Sequence, residues 1–338
     1  MSDFYVNVLQ IRDTSFQIGV LTGRRVRNTS IVKTWKALTK PIIDHDNMKS
    51  IYETLAPHLL EELDGLAYEL EISPKKATAL FSGYDVPKPK AIGCSALITR
   101  NHYVRNYDFS PEVYDGLLSL VQPKEALASV GYNLQILGRH DGVNQEGLVM
   151  GLHFVSHEDY RKGVSPWITT RMVLDTCSSL DEAVSLIKEI PHAACYNFSI
   201  GDREGNIAIV EASPEQVVVR NDEALSCVNH FQTNLLKSKN RKNIEGSVKR
   251  NNYLQSLSDR YLTQNELFNH FKSKNSPVFF TDYDDYFGTL HTFSYSFPNT
   301  RILTTIAQSN QILDMDLQRW LDGEDINMKV LKGSIEKD

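Results

Sequence analysis

The sequence predicts an α+β fold with a layered core, sheet packed on sheet, and helices outside. Three observations carry that reading. Runs that alternate apolar and polar residues recur along the chain. Two consecutive helical segments over residues 165–190 interrupt them, and more strands follow. No Pro-, Gly- or Ser-rich linker divides the 338 residues, so one large domain is expected.

Composition narrows the function classes. With 41% hydrophobic and 23% charged residues the chain is ordinary globular protein, long enough for a substantial core. A net charge of −6 argues against general nucleic-acid binding, which draws its affinity from a basic face. The opening Met1-Ser2-Asp3-Phe4 carries an early acid and no long apolar run, unlike a signal peptide. No run approaches the ~18 apolar residues of a membrane span. Cys94, Cys177, Cys195 and Cys227 are widely spaced without a Cys-x-x-Cys, which suggests neither zinc nor a disulfide framework. A cytoplasmic location fits that usage, since a reducing compartment keeps thiols free.

In chain order, residues 4–38 alternate and read as strands. Residues 46–83 read as helices, the first capped by Asp46 and broken or restarted at Pro57. Ser73-Pro74 supplies an N-cap and a first-turn proline for another. Gly83 to Lys90 is a Pro-punctuated, exposed connector that leads to Gly93-Cys94. Cys94 then opens an apolar strand-like run, followed by the turn Arg100-Asn101-His102 and a second extended segment from Tyr103 to Tyr107. The pair reads as a β-hairpin that returns Arg105 and Asp108 to the neighbourhood of Cys94. A lone strand cysteine is usually a small core residue. A thiol beside a cation and a carboxylate is what an activated nucleophile needs.

Gly93-Cys94-Ser95, the short hairpin and Arg105-Asn106-Tyr107-Asp108-Phe109 together resemble the N-terminal-nucleophile hydrolases of the penicillin acyltransferase and choloylglycine hydrolase type. Ser15-Phe16-Gln17-Ile18-Gly19 with Gly23 resembles the opening segment of penicillin acyltransferase-like chains. The resemblance implies a four-layer αββα sandwich of largely antiparallel sheets. It also implies a precursor that cuts itself between Gly93 and Cys94. Residues 1–93 would be a pro-segment that completes the fold, and 94–338 the catalytic chain, with Cys94 as nucleophile.

Further along, residues 111–123 look loop-like and 131–137 alternate as a strand. Asp141-Gly142 is a turn signal before a strand from Val149 to Val155. The Asp141–Leu148 block resembles a segment common in choloylglycine hydrolase-like sequences, where its job is mainly structural; Asn144 is a minor site candidate. Those hydrolases continue Gly-Leu-Asn-Phe, and here the run is Gly151-Leu152-His153-Phe154. His153 either donates a hydrogen bond in place of that amide or is a satisfied core histidine. The departure disfavours a bile-salt-like substrate. Ser165-Pro166 and the Ser179-Leu180-Asp181-Glu182 capping box start two helices. Strands follow at 195–200, 206–212, 216–220 and 225–231. The last ends in Asn229-His230-Phe231, which resembles the strand end that supplies an oxyanion-hole amide in this superfamily. A basic run follows (Lys237, Lys239, Arg241, Lys242, Lys249, Arg250), with Ser247 read as a helix cap. Arg250 matches a family arginine about twenty residues past that Asn. Thr263 starts a short helix. Phe287 to Tyr295 resembles a late family strand, 300–306 and 311–315 form a final hairpin, and the charged tail past Asp322 is expected to fray.

The implied chemistry needs no cofactor and no metal. A free thiol has a pKa of ~8.5. An N-terminal Cys carries its own base, an α-amine of pKa ~7.7–8.0. Asp108 would hold that amine, Arg105 would lower the thiol pKa, and Asn229 would stabilise the oxyanion. The expected activity is cleavage of a linear N-acyl amide through an acyl-thioester on Cys94. Acyl transfer from a thioester such as an acyl-coenzyme A and a non-maturing binding relative are the other readings. The partner is a small acyl amide or thioester, not nucleic acid or membrane, and the resemblance allows a homo-oligomer.

Overall fold

The computed structural model describes residues 2–86, 93–258, 260–285 and 287–336. An N-terminal strand, β1 (Ser2–Asp13), leads into five helices: α1 (Ser15–Val26), α2 (Ser30–Leu38), α3 (His45–Leu55), α4 (His58–Glu69) and α5 (Pro74–Phe81). The hairpin β2 (Gly93–Thr99) and β3 (His102–Phe109) follows. After it come β4 (Leu117–Pro123), β5 (Ser129–Leu134), β6 (Gly138–Asn144) and β7 (Val149–Ser156). Helices α6 (Pro166–Thr176) and α7 (Leu180–Glu189) precede β8 (Cys195–Gly201), β9 (Ile207–Ala212), β10 (Val217–Arg220) and β11 (Ala224–Cys227). The last third holds α8 (Glu245–Ser258), α9 (Gln264–Lys272), β12 (Thr281–Asp282), β13 (Phe287–Ser296), β14 (Arg301–Ile306), β15 (Leu313–Asp316), α10 (Leu317–Leu321) and β16 (Val330–Ile335).

Among the described residues the strands form two sheets. One runs β10-β9-β8-β7-β6-β5-β4-β1-β16, and the other β11-β2-β3-β13-β14-β15 with β12 on β13. Pairing is antiparallel except between β1 and β4. The sheets meet where β2 packs on β7 and β8. Helices α1, α6 and α7 cover the outer face of the first sheet, and α8 and α9 that of the second. The layers are therefore helix, sheet, sheet, helix. The apolar face of α6 and α7 turns inward, with Met172, Val173, Ala183 and Ile187 buried and Val184 partly so. No helix among the described residues is long and apolar enough to cross a membrane.

Several local readings are corrected. Residues 4–38 are strand only to Asp13; Thr14 then accepts a hydrogen bond from the Gln17 amide and caps α1. The buried face of α1 includes Ser15, Ile18, Gly19, Thr22, Gly23 and Val26, a helical spacing made of mostly small residues that apolar periodicity does not register. Asp44, not Asp46, caps α3. The Gly83–Val86 part of the connector is not exposed: Tyr84, Asp85 and Val86 are buried, and Tyr84 bridges to Val164. The rest of the connector, 87–92, lies outside the described residues. The end of the 111–123 segment is strand β4, held parallel to β1. Asp141-Gly142 lies inside β6, and the turn comes after Asn144, with Gly147 at φ +78°. Ser247 lies within α8 rather than before it. The tail does not simply fray: β16 pairs with β1 and buries Leu331 and Ile335.

Gly19 and Gly65 let α1 and α4 touch backbone to backbone. A Cβ on Gly65 would sit 2.0 Å from the Phe16 carbonyl oxygen, and one on Gly19 2.1 Å from that of Glu62. In an open helix, Gly→Ala gains about 1 kcal/mol. Here Gly65→Ala is expected to destabilise by roughly 1–3 kcal/mol through overpacking. Urea unfolding checks this, and a variant as stable as the parent would contradict the contact.

Candidate active site

The register of the β2–β3 hairpin sets the site. Gly93 faces Asp108, Cys94 faces Tyr107, and Ala96 faces Arg105. Arg105 reaches back and donates from Nη2 to Cys94 Sγ at 3.1 Å. The same Nη2 donates to the Leu152 carbonyl at 2.5 Å, and Nη1 donates to Asp141 Oδ2 on β6. That oxygen is shared with His291 Nε2 at 2.9 Å, and His291 Nδ1 meets the Tyr114 hydroxyl at 2.8 Å. Tyr132 stacks on the His291 ring at 3.8 Å. Burial alone would raise the Asp141 pKa; His291 and Arg105 outweigh it and hold it at about 2. Sequence reasoning assigned no site role to Asp141 or His291, although both lie in family-like blocks, because Asp141-Gly142 reads as a turn and nothing local ties either residue to Cys94.

A second set of contacts holds the backbone of Cys94. Its N–H donates to Asn229 Oδ1 at 2.9 Å, and its carbonyl accepts from Arg250 Nη1 at 2.7 Å. Arg250 also donates to Ser95 Oγ at 3.0 Å and to Asn229 Oδ1 at 2.9 Å. Asn229 lies just past β11, not in a strand. Its own N–H donates to Ser247 Oγ, and Asn197 Nδ2 clamps the flanking carbonyls of Val228 and His230, each at 3.0 Å. This arrangement differs from the expected one. The amide oxygen of Asn229, not its NH2, faces Cys94, and Nδ2 donates to the Phe154 carbonyl at 2.8 Å.

Asp108 accepts from Thr289 Oγ1 at 2.7 Å through Oδ1, while Oδ2 is buried without a partner. Burial raises its pKa to about 6, against the pull of Arg250, Thr289 and Arg105. Gly93 is required by close approach: a Cβ there would meet the Phe287 ring at 2.4 Å and Asp108 Cβ at 2.9 Å. Burial also pushes the Cys94 thiol up to about 11; Arg105 and Arg250 pull it down, Asp108 and Asp141 push it up. In the intact chain the group is a neutral thiol at neutral pH.

His153 Nε2 meets Ser199 Oγ at 2.9 Å, and Nδ1 is buried without a partner. Burial, Arg105 and Arg250 hold its pKa well below the ordinary value despite the nearby Cys94 backbone, so the ring is neutral. Asn144 is not brought to the site. Its Nδ2 donates to the Leu174 and Cys177 carbonyls, and its Oδ1 accepts from the Glu146 and Leu148 amides, which builds the β6–β7 turn and ties it to α6.

The Asp108 pKa gives a pH signature. It lies above the ~3.9 of an unfolded Asp, so its protonated form favours the fold, and that contribution fades as pH rises from ~4 through 6. The stability of Asp108→Asn relative to the parent should therefore grow between pH 4 and pH 7, by roughly 2–3 kcal/mol. Urea unfolding at the two pH values, with both proteins carrying Cys94→Ala so that the chain stays uncut and no α-amine faces Asp108, reads this; a difference independent of pH would contradict it.

The family model "Acyl-coenzyme A:6-aminopenicillanic acid acyl-transferase" matches residues 98–311. No curated protein sequence matches the chain. Among solved structures, penicillin V acylase from Agrobacterium tumefaciens is similar at 13% identity and TM-score 0.46, covering 67% of this chain and 86% of that one. A mutant conjugated bile acid hydrolase from Clostridium perfringens is similar at 14% identity and TM-score 0.46, covering 73% and 97%. The Caenorhabditis elegans ortholog of N-acylethanolamine-hydrolyzing acid amidase is similar at 12% identity and TM-score 0.40, covering 60% and 93%. With most of its length matched by the family model, the chain belongs to the acyl-coenzyme A:6-aminopenicillanic acid acyl-transferase family of acyl-transferring enzymes.

Proposed function

We propose that the chain is a self-processing cysteine amidohydrolase that cleaves a linear N-acyl amide through an acyl-thioester on Cys94. One observation carries this reading: both reactive atoms of Cys94 are already engaged, Sγ by the Arg105 guanidinium at 3.1 Å and N by Asn229 Oδ1 at 2.9 Å. An acceptor on the nitrogen is what a catalytic α-amine needs once the peptide bond is gone.

In maturation, Cys94 Sγ attacks the Gly93 carbonyl. The Gly93–Cys94 C–N bond breaks, the nitrogen takes the thiol proton, and water hydrolyses the thioester. Gly93 leaves as a carboxylate, and Cys94 keeps a free thiol and amine. Residues 1–93 become the first chain and 94–338 the second. In turnover, the amine takes the thiol proton while Asn229 Oδ1 and the unpartnered Asp108 oxygen hold it. Sulfur attacks the substrate carbonyl, and the leaving amine takes the proton back. Water then releases the acid. The oxyanion needs donors. His153 Nδ1, buried without a partner, supplies one when it carries the ring proton. The name of the matched family favours a second reading, in which an amine rather than water accepts the acyl group from a thioester donor. A free-thiol nucleophile fits a cytoplasmic enzyme under either reading.

Intact mass and N-terminal sequencing test the proposal. The purified parent is expected as fragments of 93 and 245 residues, the larger beginning at Cys94, and Cys94→Ala as one chain of 338. The fragments should co-elute, because β1 lies between β4 and β16 within the larger sheet. A parent that stays uncut under all conditions would contradict maturation and favour a binding role.

A further inference from the structure

The structure divides the basic run at 237–250. Lys239 is spent on Asp159 and Glu215, and Arg250 belongs to the Cys94 cluster. Arg241 does neither. It lines a cavity of about 570 Å³ with His230, Gln232, Lys237, Asn240 and Val248, and among the described residues no carboxylate lines that cavity. Its guanidinium lies 5.9 Å from the centre of the Phe154 ring, and its Nε is buried without a partner. A partly buried cation without an anion is costly, so the position is one that an incoming anion would complete.

Contacts between named groups link the lining of the cavity to the reactive centre. Phe154 carries Arg241 on its ring, while its carbonyl accepts the Nδ2 of Asn229, whose Oδ1 holds Cys94. Asn240, next to Arg241, accepts from the Phe231 N–H at 2.7 Å and donates to its carbonyl at 3.0 Å. The segment that bears the arginine is thus tied to the segment that bears Asn229. Burial lowers the Arg241 pKa and a charge on Cys94 raises it, which puts the two in electrostatic reach of each other.

We propose that this cavity is an anion subsite of the substrate, in which Arg241, with Lys237 at the rim, binds a carboxylate, sulfonate or phosphate carried by the molecule delivered to Cys94. A guanidinium can meet such a group with two parallel hydrogen bonds. The inference rests on the proposed role of Cys94 as the nucleophile that takes the acyl group.

The test compares N-octanoylglycine with N-octanoylglycinamide, and octanamide with its ω-carboxylate analogue. Octanoyl-coenzyme A and a neutral octanoyl thioester form a third pair. The pairs place the anion on the amine, the acyl chain or the thioester carrier in turn. In at least one pair the parent should prefer the anionic member. Arg241→Gln should lower kcat/KM for that member about 10- to 100-fold, mainly through KM, and leave the neutral one nearly unchanged. Arg241→Lys should recover part of the loss. Self-cleavage at Gly93 should proceed in Arg241→Gln as in the parent, which separates this proposal from the one it rests on. Equal use of every pair by the parent, or an equal loss on both members, would overturn the subsite. Where no pair is turned over, calorimetric titration of the anionic member of each pair into the self-cleaved parent and into self-cleaved Arg241→Gln reads binding directly. Weaker binding of at least one anionic member by Arg241→Gln supports the subsite, and equal binding or no binding of all three overturns it.

Discussion

The buried ion pair of Arg105 with Asp141 bridges the two sheets and fixes the charge beside Cys94. Arg105 comes from β3 of one sheet and Asp141 from β6 of the other, and neither side chain has solvent exposure. Two charges in such a place are tolerable only if paired and hydrogen-bonded, and losing one partner typically costs about 3–5 kcal/mol. His291 shares the Asp141 oxygen, and the Leu152 carbonyl takes a further Arg105 proton. Because these partners hold the guanidinium from several directions, it cannot relax away from Cys94 Sγ. Gly151, beside Leu152, has no room for a side chain: a Cβ would meet the Tyr103 hydroxyl at 2.1 Å and Arg105 Cδ at 2.6 Å.

The N-terminal segment is bound to the rest by comparable chemistry. Arg171 on α6 pairs with Glu62 on α4 at 2.6 Å and with Asp175 at 2.6 Å, and His58 on α4 meets the same Asp175 oxygen at 2.9 Å. All four side chains are buried. Together with the insertion of β1 between β4 and β16, this network makes residues 2–86 part of the core rather than an appendage. That is the physical reason a cut at Gly93 would leave the fold intact: the contacts that hold the segment are not carried by the peptide bond at its end.

What the sequence revealed follows the range of the forces involved. The β2–β3 hairpin, Arg105 and Asp108 are close in sequence, and their register follows from local alternation and a short turn. Asn229 and Arg250 were legible only through the family pattern, since chain spacing does not say that a loop past β11 meets the start of α8. The orientation of the Asn229 amide depends on the Phe154 carbonyl 75 residues away. Asp141 and His291 were invisible for the same reason. Helix α1 was misread because glycines and small polar residues make its buried face, and apolar periodicity cannot register a helix packed through its backbone. Asn144 sits in a family-like motif, yet the structure spends its side chain on the β6–β7 turn and on the carbonyls at the end of α6.

The most direct test of the central claim is acid-quench trapping of the acyl-enzyme with p-nitrophenyl octanoate, followed by peptide mapping by mass spectrometry. The account predicts one octanoyl group, on the peptide that begins at Cys94, attached to sulfur and removed by hydroxylamine. An adduct on Cys177, Cys195, Cys227 or another nucleophile, or none while the substrate is consumed, would contradict it.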